Sequence, residues 1–277
     1  MLKHKMTPLF IPSDLGSLFC MHFLPSSNHK QQCILYIPAF AEEMNKTRHM
    51  VAMQTRAFTE QGYAVLVLDL WGTGDSQGGF SEATWDVWLS NIGTAVKWMQ
   101  NEGYKSLSLW GLRVGALLAI DFLHKNNSPI NNLICWQPVL NGELFVMQFL
   151  RLRVASSMVD KTLTQEKTSD LKAQLLSGQS VEVAGYSLNP QLIIPMLSVH
   201  ATQLSLNNTN VCHIFELKEG EELEGSLMTT QWVKQLTEAG VKVSFDIVKG
   251  QPFWVTQEIS ESTRLIKQSS KRLSECH

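Results

Sequence analysis

The chemistry of this 277-residue chain centres on Trp110-Gly111-Leu112-Arg113-Val114-Gly115. A short apolar run, residues 107–110, leads in and a small-residue apolar run, 116–120, leads out, so the segment reads as a strand, a sharp turn and a closely packed helix. In Gly-x-Ser-x-Gly sequences such a turn lifts a serine oxygen above the sheet as the nucleophile of acyl transfer. Here the central residue is Arg113, whose guanidinium is a donor only and attacks nothing. Its charge makes a different demand. The first turn of a helix opposes a cation by roughly 0.3–1 kcal/mol, and burying an unpaired guanidinium costs several kcal/mol more. An anion must lie close to Arg113.

Two sources of that anion are open. One is internal: Glu42 or Glu43, in the loop expected after the third strand. The other is a ligand carboxylate, phosphate or sulfate, held by Arg113 and by N–H groups of Val114 and the Phe40-Ala41 loop. A serine-type triad would also need an acid and then a histidine further along the chain. The expected histidine position reads Gly250-Gln251, and glutamine takes no proton. Beyond it the one histidine is His277, at the end of a polar tail. Glu216 and Glu219 stand where the acid belongs and, with no imidazole to orient, read as solvated carboxylates. Cys135 and Ser108 fall inside apparent strands, Ser76 ends a glycine turn, and His49 and His200 have no partner at metal-ligand spacing. No metal or cofactor is expected. The aromatics Phe40, Trp71, Trp136, Phe253 and Trp254 either line a sugar or acyl pocket or pack the core. The expected ligand-binding set is Phe40, Ala41, Arg113, Val114, Gln137 and Trp254, with Arg113, Glu43 and Glu42 as candidates for catalysis.

The elements that must position these residues follow from the apolar pattern. Residues 8–11 and 17–24, separated by Ser13-Asp14-Leu15-Gly16, predict an antiparallel hairpin. Continuous apolar runs at 33–37 and 63–69 and short strand patterns at 106–110 and 133–136, with helical spacing at 48–60 and 82–99, predict the strands of a parallel sheet buried on both faces. The alternation breaks over 140–206, where helical patterns at 144–154 and 169–176, a short strand at 181–183 and punctuation by Pro190 and Pro195 predict an inserted cap. Strands at 211–216 and 241–248, a helix at 226–238 and a closing helix from about Trp254 complete the core. The fold class is α/β, a mostly parallel central sheet with helices on both faces and an inserted cap. Residues 1–139 and 207–277 form the core and 140–206 the cap. Ligands in such sheets bind beyond the carboxyl ends of the strands, where Arg113 and Gln137 should converge.

Composition narrows the partners. A formal net charge of −2 and a pI near 6.4 give no basic field for nucleic acid, and no apolar run of roughly 18 residues exists to span a bilayer. Met1-Leu2-Lys3-His4-Lys5 has no apolar region behind it of the signal-peptide kind. Cys20, Cys33, Cys135, Cys212 and Cys276 are odd in number and mostly within apolar runs, which suits reduced thiols. A cytoplasmic location is expected.

Asp69-Leu70-Trp71-Gly72-Thr73-Gly74-Asp75-Ser76 and the elbow together resemble the α/β-hydrolase superfamily over nearly the whole chain. Within it, Pro38-Ala39-Phe40-Ala41-Glu42-Glu43-Met44-Asn45-Lys46, Trp110-Gly111-Leu112-Arg113, Trp136-Gln137-Pro138-Val139, residues 148–153 and Pro252-Phe253-Trp254 resemble the bacterial exosortase A system-associated hydrolase 2 group. That resemblance implies work near exopolysaccharide synthesis and protein sorting. Three functions stay open. The first is an atypical hydrolase homologue that binds an anionic, acyl or carbohydrate-linked small molecule. The second is a hydrolase of ester or acyl substrates using Glu43 as base and Arg113 as electrophile. The third is a non-catalytic scaffold partner, for which a contiguous exposed apolar patch is expected.

Overall fold

The computed structural model describes residues 5–26, 31–159, 166–206, 209–220 and 224–275; residues 1–4, Cys276 and His277 lie outside this set. β1 (Lys5–Pro12) and β2 (Ser17–Leu24) form the expected antiparallel hairpin. The parallel core follows as β3 (Gln32–Ile37), α1 (Glu42–Glu60), β4 (Ala64–Leu68), α2 (Trp85–Asn101), β5 (Ser106–Leu112), α3 (Val114–Lys125) and β6 (Ile130–Trp136). Next come α4 (Gly142–Val159), α5 (Thr168–Leu176), the two-stranded antiparallel pair β7 (Val181–Val183) and β8 (Tyr186–Leu188), and α6 (Pro190–Ser198). The chain then returns through β9 (Thr209–Lys218), α7 (Leu227–Glu238), β10 (Lys242–Lys249) and α8 (Thr263–Ser274).

The sheet has eight strands in the order β1-β2-β4-β3-β5-β6-β9-β10. It is parallel from β4 to β10, with the β1–β2 hairpin added antiparallel at one edge. Alternate residues of a strand face opposite ways, and here both faces are covered. Cys33, Leu35 and Ile37 join the core with α2, α3 and α7, whereas Ile34 and Tyr36 join the core with α1 and α8. All five are buried, and each fully buried aliphatic side chain contributes roughly 1.5–3 kcal/mol. The chain moves outward from β3 to β4 and then crosses back to β5, so the β3–β5 seam is where strand order reverses. That seam is the usual ligand crevice of an open α/β sheet.

The segment between β6 and β9 leaves and re-enters the core through a hydrogen-bonded neck. Gly142 N donates to Val199 O at 3.0 Å and Ala201 N to Leu140 O at 2.8 Å. Pro190 opens a helix rather than ending one, since a first-turn residue has no helical N–H bond to lose, and the Asn189 side chain caps it by accepting from Gln191 N at 2.9 Å.

Two boundaries differ from the pattern-based expectation. α1 begins at Glu42, not near Arg48, because Ala41 (φ 52°) turns the chain directly into the helix and two acidic residues suit its first turn. The closing helix begins at Thr263, not near Trp254. Phe253 and Trp254 are buried in a turn ahead of it, where Phe253 N donates to Gln251 O and Val255 N to Pro252 O, each at 2.9 Å. The stripe that does fit a helix is Leu265, Ser269 and Leu273, started by the Ser262 cap.

Candidate ligand site at the elbow

Arg113 stands at the turn between β5 and α3 with φ 57° and ψ −118°, a strained conformation for a residue with a Cβ. The turn is held tightly. Arg113 N donates to Trp136 O at 3.0 Å, and Arg113 O accepts from Ala116 N at 3.1 Å and Val139 N at 3.2 Å. A side chain at position 111 would run into the backbone at Ala116, and one at 115 into the carbonyls of Ile37 and Pro38. Both glycines of the motif are therefore required by close approach, and α3 starts hard against the end of β3. By position Val114 N–H is among the first-turn donors with no acceptor inside the helix.

The anion beside Arg113 is internal. Arg113 Nε donates to Glu43 Oε1 and Oε2 at 3.3 and 3.4 Å, and Nη2 donates to Oε1 at 3.3 Å. The two side chains are only 17% and 15% exposed. Burial pushes the Glu43 carboxyl above its ordinary range, and the charges of Arg113 and then Lys46 pull it back. The guanidinium also sits 5.2 Å from the Trp254 ring centroid and 5.9 Å from that of Phe145, within cation–π range of both.

Glu42 points elsewhere. Its Oε2 accepts from Tyr186 Oη and from Asn45 Nδ2, each at 3.2 Å. Ala41, Asn45, Gly72, Thr73, Phe80 and Tyr186 line a cavity of about 280 Å³ next to this network. Phe40 is buried among Phe80, Trp88, Phe145 and Phe149, all in edge-to-face contact at 5.1–6.0 Å. Phe145 and Tyr186 were not singled out in the sequence. For Phe145 a signal existed, its i,i+4 pairing with Phe149, which the structure stacks at 6.2 Å.

Other residues weighed for chemistry are engaged structurally. Gln137 (φ 41°) accepts from Leu217 N through Oε1 at 2.7 Å, while its own N–H binds Phe215 O at 2.7 Å, so it staples β6 to β9. Ser76 Oγ donates to Asp69 O at 2.6 Å and accepts from Phe19 N at 2.8 Å. His49 pairs with Glu261 at 2.7 Å, and His200 lies in the neck opposite Asn141. Cys135 is fully buried beside Cys212, and Ser108 accepts from Asn132. Arg153 forks to Glu166 at 2.6 Å, and Arg151 is exposed.

Glu216 corrects an expectation. It is not solvated but 3% exposed, and its carboxylate accepts from Ser226 N at 2.8 Å, Ser226 Oγ at 2.7 Å and the Thr229 hydroxyl. It therefore caps α7, as a carboxylate at a helix N-terminus does favourably. Glu219 and Gln251 are exposed. Among the described residues no group of three or more His, Cys, Asp and Glu is placed to hold a metal ion, and no helix is long and apolar enough to cross a membrane.

Sheet order, the strained turn after β5 and helices on both faces define an α/β-hydrolase fold. The chain belongs to the family described as serine aminopeptidase, S33, whose model matches residues 28–213. Solved structures agree on the fold. Est1E from Butyrivibrio proteoclasticus, bound to ferulic acid, is 17% identical with a TM-score of 0.70, the match covering 96% of this chain and 98% of that one. An alpha-beta serine hydrolase homologue from Coxiella burnetii is 14% identical with a TM-score of 0.58, covering 96% and 97%. A Pyrobaculum calidifontis esterase is 13% identical with a TM-score of 0.63, covering 98% and 85%. No curated protein matches the sequence.

Proposed function

We propose that this chain is a hydrolase-fold protein of the exosortase A system-associated hydrolase 2 type. In this reading it lacks the serine nucleophile and the histidine base, and it binds an anionic small molecule, acyl or carbohydrate-linked, in exopolysaccharide or protein-sorting metabolism in the cytoplasm. Residues 140–206 act as the cap over that site. The observation that carries the reading is Arg113 at the centre of the elbow, forked to Glu43 through Nε and Nη2. Nη1 and the Val114 N–H serve as donors for a ligand carboxylate or phosphate, which displaces Glu43 or joins it. Phe40, Ala41, Val114, Gln137 and Trp254 complete the proposed binding set.

Thermal shift against phosphate, sulfate, glucuronate and hexanoate, with a fluorophosphonate labelling control, tests this. At a ligand concentration of 100 times Kd the stabilisation should be about 2.7 kcal/mol, present in wild type, lost in Arg113→Gln and retained or enhanced in Glu43→Gln. Stoichiometric fluorophosphonate labelling of one serine, or equal anion effects in wild type and Arg113→Gln, would overturn it. The buried, raised Glu43 carboxyl also favours a second reading. Glu43 takes a proton from water, the hydroxide adds to an acyl carbon, Arg113 stabilises the oxyanion and the proton leaves with the alcohol. Ester turnover abolished by both Glu43→Gln and Arg113→Gln would select this reading.

A further inference from the structure

Three stretches of chain build the cavity of about 280 Å³ beside Glu42. The opening of α1 gives Met44 and Asn45, the segment between β4 and α2 gives Thr73 and Phe80, and β8 gives Tyr186. Phe80 and Tyr186 meet edge to face with ring centroids 5.0 Å apart, and Met44 adds an adaptable apolar surface. Asn45 is exposed and Thr73 and Tyr186 are half-buried, so solvent reaches all three polar residues. Small-molecule sites start at about 300 Å³, so this space suits a single ring.

The polar groups of this lining have committed their donors. Tyr186 Oη donates to Glu42 Oε2 at 3.2 Å, and Thr73 Oγ1 donates to Leu70 O at 2.8 Å. A carboxylate only accepts, so Asn45 turns Nδ2 to Glu42, at 3.2 Å, and carries Oδ1 on the other side of its amide. What remains for a ligand is Asn45 Oδ1 and the lone pairs of two hydroxyls. No charged side chain lines the cavity, and the group that holds Asn45 and Tyr186 is the Glu42 carboxylate, whose charge disfavours a second anion there. The matching ligand brings donors. An ammonium carries its three donors on one atom, whereas these acceptors come from three separate stretches of chain. Hydroxyls spread around a ring fit that spacing better.

Glu42 and Glu43 are consecutive, with Cα atoms about 3.8 Å apart, so the cavity adjoins the Arg113–Glu43 pair. We propose that it is a sugar subsite of the elbow. A ligand whose carboxylate lies against Arg113 places its ring here, with hydroxyls donating to Asn45, Thr73 and Tyr186 and its C–H face on Phe80 and Met44. This rests on the anion-binding reading of the elbow and narrows the ligand from acyl or carbohydrate-linked to a glycosyl carboxylate.

Isothermal titration calorimetry with glucuronate, hexanoate and ε-aminocaproate tests this. Glucuronate should bind about tenfold or more tightly than either chain compound, the yield of two or more net hydrogen bonds. Tyr186→Phe and Asn45→Ala should each weaken glucuronate about two- to tenfold more than they weaken hexanoate, and Arg113→Gln should weaken both anions. Equal affinities for glucuronate and hexanoate, both falling in Arg113→Gln, overturn the sugar subsite and leave the elbow reading standing. Glucuronate binding that falls in Tyr186→Phe and Asn45→Ala but not in Arg113→Gln keeps the sugar site and overturns the elbow reading. Equal losses of both anions in Tyr186→Phe and Asn45→Ala would make these residues a tether between β8 and α1 and overturn the proposal, as would tighter binding of ε-aminocaproate. Failure of either anion to bind overturns both readings when hexanoate and glucuronate fail together, and the sugar subsite when glucuronate alone fails.

Discussion

Glu43→Gln is the perturbation that bears most directly on the elbow. At 3.3 Å and an effective dielectric near 20, the Arg113–Glu43 attraction is about 5 kcal/mol before desolvation. Burial is the largest influence on Glu43 and acts against its charge, so the pair as a whole sits near break-even. Removing one member is different. The glutamine keeps the shape but leaves the guanidinium, 17% exposed, with no counter-charge. A fully buried pair broken this way loses about 3–5 kcal/mol; the remaining exposure and the Trp254 and Phe145 faces reduce that to about 2–3 kcal/mol. For a chain of this size that is a fall in Tm of about 4–12 °C. The double variant Arg113→Met with Glu43→Leu, which removes both charges, should return close to wild type. Scanning calorimetry on the four proteins of the cycle, with and without acetate, reads the result, and acetate should rescue Glu43→Gln selectively. A single-variant Tm within about 1 °C of wild type, with no acetate effect, would refute the claim that Arg113 requires an anion.

Two further outcomes follow from groups away from the elbow. Burial lowers His22 and His213 to about 4, with the Arg272 charge adding to the effect at His213. The unfolded chain therefore binds protons that the folded one refuses, and stability should fall as pH drops from 6.5 toward about 4, seen as uptake of about two protons on unfolding at pH 5 by calorimetry in buffers of different ionisation enthalpy. Glu216→Ala strips the shared acceptor from Ser226 and Thr229 and should destabilise by about 2–4 kcal/mol, with hydrogen exchange accelerated first in the opening turn of α7.

Much of the fold is legible in local pattern because burial on both faces leaves no polar alternation. Residues 33–37 and 133–136 read as unbroken apolar runs and are strands of the parallel sheet. The elbow is legible for a related reason: Gly111 and Gly115 are required by backbone contact, and such contact tolerates no other residue. The start of α8 was misread because a buried Phe253-Trp254 pair resembles the opening of an amphipathic helix until a third residue is placed. Glu216 was misread because a carboxylate in a strand end says nothing of the helix that will arrive beside it.

By itself, then, the sequence determined the sheet, the turn at Arg113 and the need for an anion there, since each rests on short-range periodicity, glycine sterics or the cost of an isolated charge. Only the tertiary structure decided which anion. Glu42 and Glu43 are adjacent, and neighbours on a helix diverge by about 100°. The φ of 52° at Ala41 starts α1 at Glu42, and that phase turns Glu43 to Arg113 and Glu42 to Tyr186.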